Sequence, residues 1–317
     1  MTKDFSIKPL KAVTMFFDIG RDSYRSPRSL EIYLFNFMKF YSRLECKILV
    51  VTTSKMKTLL ENAIQHFNEP FRSEVKYLVI EFEDLPLFRK IESIEKTLDS
   101  SAMTFFSLRD RLCDRKSMLR KILRNIRKQK QNNSIFEKLL LRELKVPEYI
   151  EPKYLVTVLS KPYVLQRAYD CKFVDTNEPI AFMDFGFGHG ISSFLELVGN
   201  KRLVQGSYKY PGMLVTKRLP VQLPKMAWDY ACLVDDAIIP TGFIVIDHGT
   251  LKTLVNWWDK TIEKYLSDSI VVDDQTLAAL FVANHPSLSQ CIETHNITTD
   301  VPIEKWLPIR GFITNAG

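Results

Sequence analysis

The sequence predicts an α/β protein with a Rossmann-like, doubly wound sheet in its first part and more strands and helices behind it. Two observations carry this prediction. Apolar β-branched runs alternate with helical periods over residues 12–82, and a second apolar strand near mid-chain ends in Asp184. The composition agrees, because 46% hydrophobic and 26% charged residues are typical of a globular chain. The 317 residues suffice for one large domain, and we expect one domain with a helical insertion.

The first part of the chain shows the order strand, helix, strand, helix, strand. The predicted elements are a strand over Ala12–Phe17, a helix over Ser29–Leu44, a strand over Cys46–Thr53, a helix over Ser54–Phe67 capped by Ser54, and a strand over Val75–Phe82. The continuous run at Cys46–Thr53 is typical of a buried parallel strand. Ligands of such sheets bind at the carboxyl ends of the strands, where the turn 18–21 follows the first strand.

The rest of the chain begins with the insertion. Residues 86–150 are mostly helical by pattern, and Ser107–Gln131 is dense in arginine and lysine, with its apolar residues near one helical face. The later predicted elements are a helix over Pro162–Tyr169, strands over Ile180–Met183 and Phe243–Ile246, a helix over Thr250–Leu266, and a helix that begins at Asp273 or Asp274 and ends at Ala283.

The net charge of +7 favours an anionic partner. For the basic stretch at residues 107–130 two interpretations stay open: a solvated helix with no specific role, or a surface that contacts anionic lipid or a phosphorylated acceptor. No apolar run approaches the roughly 20 residues needed to cross a bilayer, and the first residues lack a signal-peptide pattern. We therefore expect a cytoplasmic protein, peripheral at the inner membrane if the basic stretch binds lipid.

Asp184-Phe185-Gly186 spells the D-F-G motif that holds magnesium in protein kinases, but a kinase interpretation fails. A kinase also needs an early Gly-rich loop and an H-R-D catalytic loop shortly before D-F-G. The chain has only 11 glycines and no early G-x-G-x-x-G. Its Arg109-Asp110 pair has no preceding histidine and lies far upstream. The aspartate needs another explanation.

A carboxylate just past a buried strand, followed by glycines, leaves room for a large ligand. Mg²⁺ and Mn²⁺ bind carboxylate oxygens together with substrate phosphates, so Asp184 and His189 are candidate metal ligands. The alternative is a turn in which Asp184 is a cap and Gly186, Gly188 and Gly190 only set the backbone shape.

Four stretches, TMFFDIGRDSY, YLFNFMKF, SKPYVLQRAY and FMDFGFGHG, together resemble the HtrL/YibB family of bacterial proteins. That family has a strand ending in F-F-D-I-G-R and a mid-chain apolar strand ending in D-F-G, often with a histidine three residues later, as at Gly186 and His189. The resemblance spans about residues 10–290. Phe182-Met183 stands where members often carry Trp-Ile, which exchanges apolar for apolar. The basic stretch at residues 109–130 matches no family motif.

The resemblance implies a glycosyltransferase of hexosyltransferase type with a GT-A-like fold, since the family occurs with lipopolysaccharide and surface-glycan assembly. It implies a nucleotide-sugar-binding half over residues 10–190, including the insertion at about 86–150, and an acceptor half over 191–317. The acceptor would be lipopolysaccharide, capsule or another surface or lipid-linked glycan. Mn²⁺ or Mg²⁺ would rest on Asp184 with His189, because Gly186 leaves the D-x-D motif of GT-A enzymes incomplete.

The candidate donor-binding residues follow the first strand or lie near the D-F-G motif. They are Phe17, Asp18, Gly20, Arg21, Lys161, Arg167 and Gly186. A cationic side chain here would neutralise the charge that develops on a leaving diphosphate. Lys161 and Arg167 could line the same side of their helix. A surface position remains the alternative for these two residues and for Arg21.

Asp273 and Asp274 are the candidate catalytic residues. A D-D-Q sequence at a helix start, after a strand and a Trp-rich helix, is a frequent late feature of GT-A enzymes. An inverting enzyme needs a carboxylate that takes the proton of the acceptor hydroxyl. Helix capping is the alternative role, and both roles can hold together. Asp247-His248, at the end of the preceding strand, is a further candidate.

Two other classes of function stay open. The incomplete D-x-D motif is compatible with a catalytically silent scaffold of a glycan-assembly complex. A nucleic-acid binder would use the basic stretch at residues 107–130, but this stretch lacks the interleaved aromatic residues and the groove-reading motifs of such proteins. We therefore expect no nucleic-acid partner.

Overall fold

A computed structural model describes residues 8–23, 29–98, 151–186, 199–206, 208–219, 239, 241–268, 272–295, 309 and 311–315. The predicted basic stretch 107–130, most of the predicted insertion, and His189 lie outside these residues. Within them, no helix is long and apolar enough to cross a membrane.

Strands from both halves of the chain build the sheets. They are β1 (Lys11–Phe16), β2 (Leu44–Glu45), β3 (Lys47–Thr52), β4 (Glu74–Val79), β5 (Ile180–Met183), β6 (Lys201–Leu203), β7 (Met213–Leu219), β8 (Phe243–Ile246), β9 (Ser289–His295) and β10 (Ile313–Asn315). The helices are α1 (Leu30–Tyr41), α2 (Ser54–Gln65), α3 (Pro152–Leu159), α4 (Lys161–Asp170), α5 (His248–Ser267) and α6 (Asp274–Asn284). Residues 91–98 are also helical.

Seven strands form one mixed sheet in the order β4-β3-β1-β5-β8-β7-β9. The strands β4, β3, β1 and β5 are parallel, β8 is antiparallel to both of its neighbours, and β7 is parallel to β9. A small second sheet has the order β10-β6-β2. The predicted α/β fold, with a mixed sheet flanked by helices, is confirmed.

The large sheet separates two apolar clusters, as the period of two along a strand requires. Val13 and Met15 of β1 point to a cluster that α3, α4, α5 and α6 cover. Ala12 and Phe16 point to the opposite cluster, which α1 and α2 cover. The core therefore has three layers, with helices on both faces of the sheet.

The helix starts follow ordinary capping rules. Ser29 accepts a hydrogen bond from the backbone N–H of Ile32 at 3.4 Å and so caps α1. The predicted cap of α2 is wrong by one residue. Thr53 is extended and accepts from the N–H of Met56 at 3.3 Å, so Ser54 is already the first helical residue.

Strand direction brings distant segments to one edge of the sheet. The carboxyl ends of β1 and β5 lie at the same edge because these strands are parallel. The strand β8 runs the other way, and its first residue, Phe243, pairs with Met183, the last residue of β5. The residues just before β8 therefore lie beside those just after β5.

Candidate active site

A cavity of about 540 Å³ opens at this edge, above the ends of β1 and β5. The chain continues from β1 to β3 on one side of β1, whereas β5 lies on the other side, so the strand order reverses at this point. Open α/β sheets bind their ligands at such a position. The residues that line the cavity include Phe17, Asp18, Arg21, Tyr33, Tyr154, Lys161, Asp184, Gly186, Thr241 and Asp274.

All three residues of the D-F-G motif line this cavity. The backbone N–H of Asp184 donates to the carbonyl of Gly242 at 2.9 Å, which continues the pairing of β5 with β8. The ring of Phe185 is stacked between Phe16 at 3.9 Å and Phe37 at 4.4 Å, measured between ring centroids. This stacking fixes the backbone on both sides of Phe185, so that Asp184 reaches the cavity.

Gly186 is buried against the ring of Tyr33. A Cβ atom built on Gly186 would lie 3.3 Å from both Cδ1 and Cε1 of that ring, which is tighter than an ordinary contact. Glycine is therefore the residue that allows α1 to approach the end of the motif this closely. Its place in the cavity wall agrees with the predicted donor contact, which stays a prediction.

Lys161 is the first residue of α4 and is 5% exposed. A lysine at a helix N-terminus faces the positive end of the helix dipole, so this position is electrostatically unfavourable unless anions compensate it. Pro162 follows it in the first turn, where proline is well tolerated. Two hydrogen bonds hold this region on α5: the indole of Trp258 donates to the carbonyl of Leu159 at 3.0 Å, and the hydroxyl of Tyr163 donates to Asp259 at 2.9 Å.

The anions that compensate Lys161 come from two separate elements. The Nζ atom of Lys161 lies 2.6 Å from Oδ2 of Asp274 and 3.1 Å from Oδ1 of Asp184. It also lies 3.1 Å from the hydroxyl and 3.4 Å from the carbonyl of Thr241, whose hydroxyl donates to Oδ2 of Asp274. We call these four residues, Lys161, Asp184, Thr241 and Asp274, the lysine cluster.

The lysine cluster keeps its ammonium group charged. Burial alone would lower the pKa of Lys161, but the two carboxylates outweigh burial and raise it above its ordinary value. Asp274 is 2% exposed, whereas 41% of the Asp184 side chain is exposed. A ligand in the cavity can therefore reach Asp184 more readily than Asp274.

The turn after β1 forms another part of the cavity wall. Phe17 and Asp18 line the cavity, and Arg21 lies over the ring of Tyr154 with its Cζ atom 4.5 Å from the ring centroid. Gly20 is not among the lining residues. Its φ of +74° is a backbone conformation that favours glycine, and its N–H donates to Oδ1 of Asp18 at 3.2 Å, so Gly20 shapes the turn.

The two predicted catalytic aspartates have different surroundings. Asp273 is the N-cap of α6 and accepts from the N–H of Thr276 at 2.7 Å, and it does not line the cavity. Asp274, one position later, points to Lys161 and does line the cavity. Of the two roles considered for this pair, helix capping thus applies to Asp273, whereas Asp274 is the residue that contacts the cavity.

Other candidates lie away from the cavity. Arg167 is exposed and lies six positions after Lys161, about 240° around the helix at 3.6 residues per turn, so the expectation that both line one side is wrong. Asp247 and His248 follow β8 at the opposite edge of the sheet, because β8 is antiparallel to β5. They cannot join the lysine cluster.

The described residues do not form a metal cage. They contain no group of three or more His, Cys, Asp or Glu side chains that could hold an ion. The donor set around Lys161 consists of hard oxygen atoms, but the ammonium nitrogen already occupies the point that they share. These residues therefore do not fit the predicted Mn²⁺ or Mg²⁺, and the part of that prediction that involves His189 lies outside the described residues.

Thr241, Tyr154 and Tyr33 are among the lining residues that the sequence did not predict. A usable signal existed for Tyr154, because residues 154, 157, 158 and 161 repeat at spacings of three, one and three, which places them on one helical face. No comparable signal existed for Thr241, since its place depends on the direction of β8.

The fold is that of an α/β protein with a cavity at the carboxyl edge of its sheet. The sequence profile of a family described as "Bacterial protein of unknown function (HtrL_YibB)" matches residues 109–298, and the chain belongs to this family. The predicted family resemblance is thus confirmed. The match includes the basic stretch at residues 109–130 and the D-F-G motif, whereas the turn after β1 lies before it.

Two solved structures are similar to this chain. The apo form of mouse xyloside xylosyltransferase 1 has 9% identity and a TM-score of 0.38, with 89% of this chain and 84% of that chain covered. A 4-diphosphocytidyl-2C-methyl-D-erythritol synthase from Anaerococcus prevotii has 12% identity and a TM-score of 0.34, with 95% and 94% covered. At these values the likeness carries no argument about function. A search of curated proteins found no match.

Proposed function

We propose that this protein is a glycosyltransferase that moves a sugar from a nucleotide-sugar donor to a surface-glycan acceptor, such as lipopolysaccharide or capsule. One observation carries the proposal: a cavity of about 540 Å³ at the switch point of the sheet brings together Arg21, Lys161 and Asp184 from three distant parts of the chain. The volume falls in the range of small-molecule sites, roughly 300–1,000 Å³.

The proposed roles follow from charge and exposure. Arg21, on the wall formed after β1, is the cation that meets the phosphates of the donor. Asp184 is the carboxylate of the lysine cluster that a substrate can reach, so it contacts the sugar or the acceptor hydroxyl. Asp274 is nearly buried and holds Lys161, so its part in proton transfer would be indirect.

The charge balance of the cavity sets a condition on the donor. Among the residues that the structure describes, five carboxylates line the cavity, those of Asp18, Asp22, Glu31, Asp184 and Asp274, against the two cationic side chains of Arg21 and Lys161. A diphosphate is repelled by this excess unless a counter-ion accompanies it or the base and sugar supply most of the binding. The experiment therefore needs arms with and without a divalent ion.

The test is a thermal-shift panel of nucleotides and nucleotide sugars, with and without Mn²⁺. The panel compares wild type with Asp184→Ala and with Asp175→Ala, an exposed aspartate outside the cavity. A ligand at 100 times its dissociation constant stabilises a protein by about 2.7 kcal/mol, which corresponds to several degrees. We expect one nucleotide sugar to raise the melting temperature of wild type and of Asp175→Ala but not that of Asp184→Ala.

Other outcomes would count against the proposal. If no nucleotide sugar shifts wild type in either arm, the protein is not a nucleotide-sugar transferase, and a catalytically silent role in glycan assembly gains weight. If Asp184→Ala responds as wild type does, donor binding does not involve the lysine cluster. Transfer of labelled sugar to extracted lipopolysaccharide or capsule then tests the acceptor.

A further inference from the structure

The lysine cluster has the oxygen ligands of a cation site, and its cation is the ammonium group of Lys161. Four oxygen atoms, from Asp184, Thr241 and Asp274, lie within 3.4 Å of one nitrogen atom, Nζ of Lys161. Two of the four come from carboxylates on different elements. Carboxylate, hydroxyl and carbonyl oxygens are also the ligands that Mg²⁺ and Mn²⁺ prefer.

The distances are those of an ammonium group and not of a metal ion. The contacts to Nζ run from 2.6 to 3.4 Å, as hydrogen bonds and close ion pairs do. Mg²⁺ binds oxygen at about 2.0–2.1 Å in near-octahedral geometry. An ammonium group has only three N–H donors, so it cannot serve all four oxygens equally. The ring of Phe182, with its centroid 5.2 Å from Nζ, adds a further cation contact.

The cluster is built around this charge. Removing Lys161 would leave a carboxylate that is 2% exposed without its counter-ion, which is unfavourable for a buried charge. The same removal would open space toward solvent, because Lys161 lines the cavity. Uncompensated carboxylates beside an open space are what a divalent ion binds.

We propose that the ammonium group of Lys161 takes the place of a divalent ion between Asp184 and Asp274, so that the protein by itself binds no metal there. Lys161 is then a positioning residue, which sets the distance between the two carboxylates. This inference deepens the proposed function, and it rests on that function only where the charge of Lys161 is taken to act on a substrate. It does not concern a divalent ion that enters the cavity together with a donor.

The experiment is a titration with MnCl₂ alone, followed by the electron paramagnetic resonance signal of free Mn²⁺. It contains no nucleotide sugar, so its failure and that of the proposed function can be distinguished. The proteins are wild type, Lys161→Ala, Lys161→Ala/Asp274→Asn and Lys90→Ala. Lys90 is the matched control, since its Nζ lies 2.6 Å from a single carboxylate, that of Glu263, away from the cavity.

We expect wild type and Lys90→Ala to bind no Mn²⁺ at this site. Lys161→Ala should take up one Mn²⁺ per chain, with a dissociation constant at least tenfold below any weak binding of wild type, and the additional Asp274→Asn change should abolish this gain. If Lys161→Ala is unfolded in metal-free buffer, Mn²⁺ should restore its circular dichroism, because an ion that binds only the native state stabilises it.

Two results would overturn the proposal. One is a wild-type protein that binds one Mn²⁺ per chain and loses it on Asp184→Asn, because the position would then be open to a metal. The other is a Lys161→Ala protein that gains no Mn²⁺, whether it stays folded or fails to refold with the ion, because the oxygen cluster would then not be a cation site.

Discussion

The two ends of β8 each place a buried aspartate beside a helix start, but the partners of the two carboxylates differ. At one end Asp274 is held by the ammonium group of Lys161 in a cavity wall. At the other end Asp247 accepts hydrogen bonds from the backbone N–H groups of Gly212, Gly249 and Thr250, and from the hydroxyls of Thr250 and Tyr208. We call this second arrangement the Asp247 cap.

The difference shows which buried carboxylate serves the fold. The carboxylate of the Asp247 cap accepts from neutral donors, and its hydrogen bonds hold residues 208–212 against the start of α5. These hydrogen bonds therefore stabilise the fold. The lysine cluster joins opposite charges beside an open cavity. A buried ion pair stabilises a fold only weakly compared with apolar packing, so stability alone does not account for an ion pair at this place.

A large effect on stability is expected at the Asp247 cap. Asp247→Ala should lower the free energy of unfolding by about 3 kcal/mol or more, because several buried donors lose their acceptor and each such loss costs about 1–3 kcal/mol. Asp184→Ala at the cavity end should cost only about 1 kcal/mol, since this side chain is 41% exposed and Lys161 keeps its second carboxylate. Urea denaturation measures both values. Equal losses for the two variants would remove the distinction between the two ends.

Loss of the ammonium group should destabilise the protein. Lys161→Met leaves Asp274 buried and uncompensated, which should lower the free energy of unfolding by about 3–5 kcal/mol at neutral pH. Urea denaturation at neutral pH measures this loss.

The control for Lys161→Met is the double variant Lys161→Met/Asp274→Leu. An apolar replacement of a buried ion pair is often neutral or stabilising, so this variant should recover most of the lost stability without recovering a response to donor. A double variant that recovers none of the lost stability would mean that packing, not charge, is the main contribution of Lys161.

The wild-type protein should lose a smaller amount of stability in acid through the Asp247 cap. Burial alone would raise the pKa of Asp247, but hydrogen bonds from Thr250, Gly212 and Tyr208 outweigh burial and lower it. A lowered folded pKa contributes stability above the ordinary value of about 3.9, and this contribution is lost as the pH falls through the folded pKa. Asp247→Asn should therefore show a flatter decline below pH 4 than wild type. Parallel declines of the two proteins would contradict this assignment.

Much of the fold could be predicted because its signals are local. The buried run at Cys46–Thr53 marked β3, the run at Ile180–Met183 marked β5, and the aspartates at 273–274 marked the start of α6. The strands β7 and β9 were not predicted. Apolar residues in β7 give way to lysine and arginine, and β9 reads SQCIETH, so neither shows the run or the strict alternation of a strand.

The lysine cluster could be predicted only in part, because it depends on tertiary arrangement. Asp184, Lys161 and Asp274 were each candidates, but their roles were assigned separately, as metal ligand, donor contact and base. No local pattern shows that Lys161 faces both carboxylates. The direction of β8 decides that Thr241 lies beside Asp184, and strand direction is set by the connections between elements and not by residues within the strand.

The smallest expected effect compares one hydroxyl at each end of β8. The hydroxyl of Tyr208 lies 3.1 Å from Asp247 and 2.7 Å from the carbonyl of Gly212, so its single proton is shared and Tyr208→Phe should cost about 1 kcal/mol. Thr241→Val removes a hydroxyl that donates to Asp274 and accepts from Lys161, at a similar cost. Urea denaturation gives both costs, and the thermal-shift panel gives the response to donor. Only Thr241→Val should weaken that response, since only Thr241 lines the cavity. A weakened response in Tyr208→Phe would mean that the Asp247 cap is coupled to the cavity across the whole length of β8.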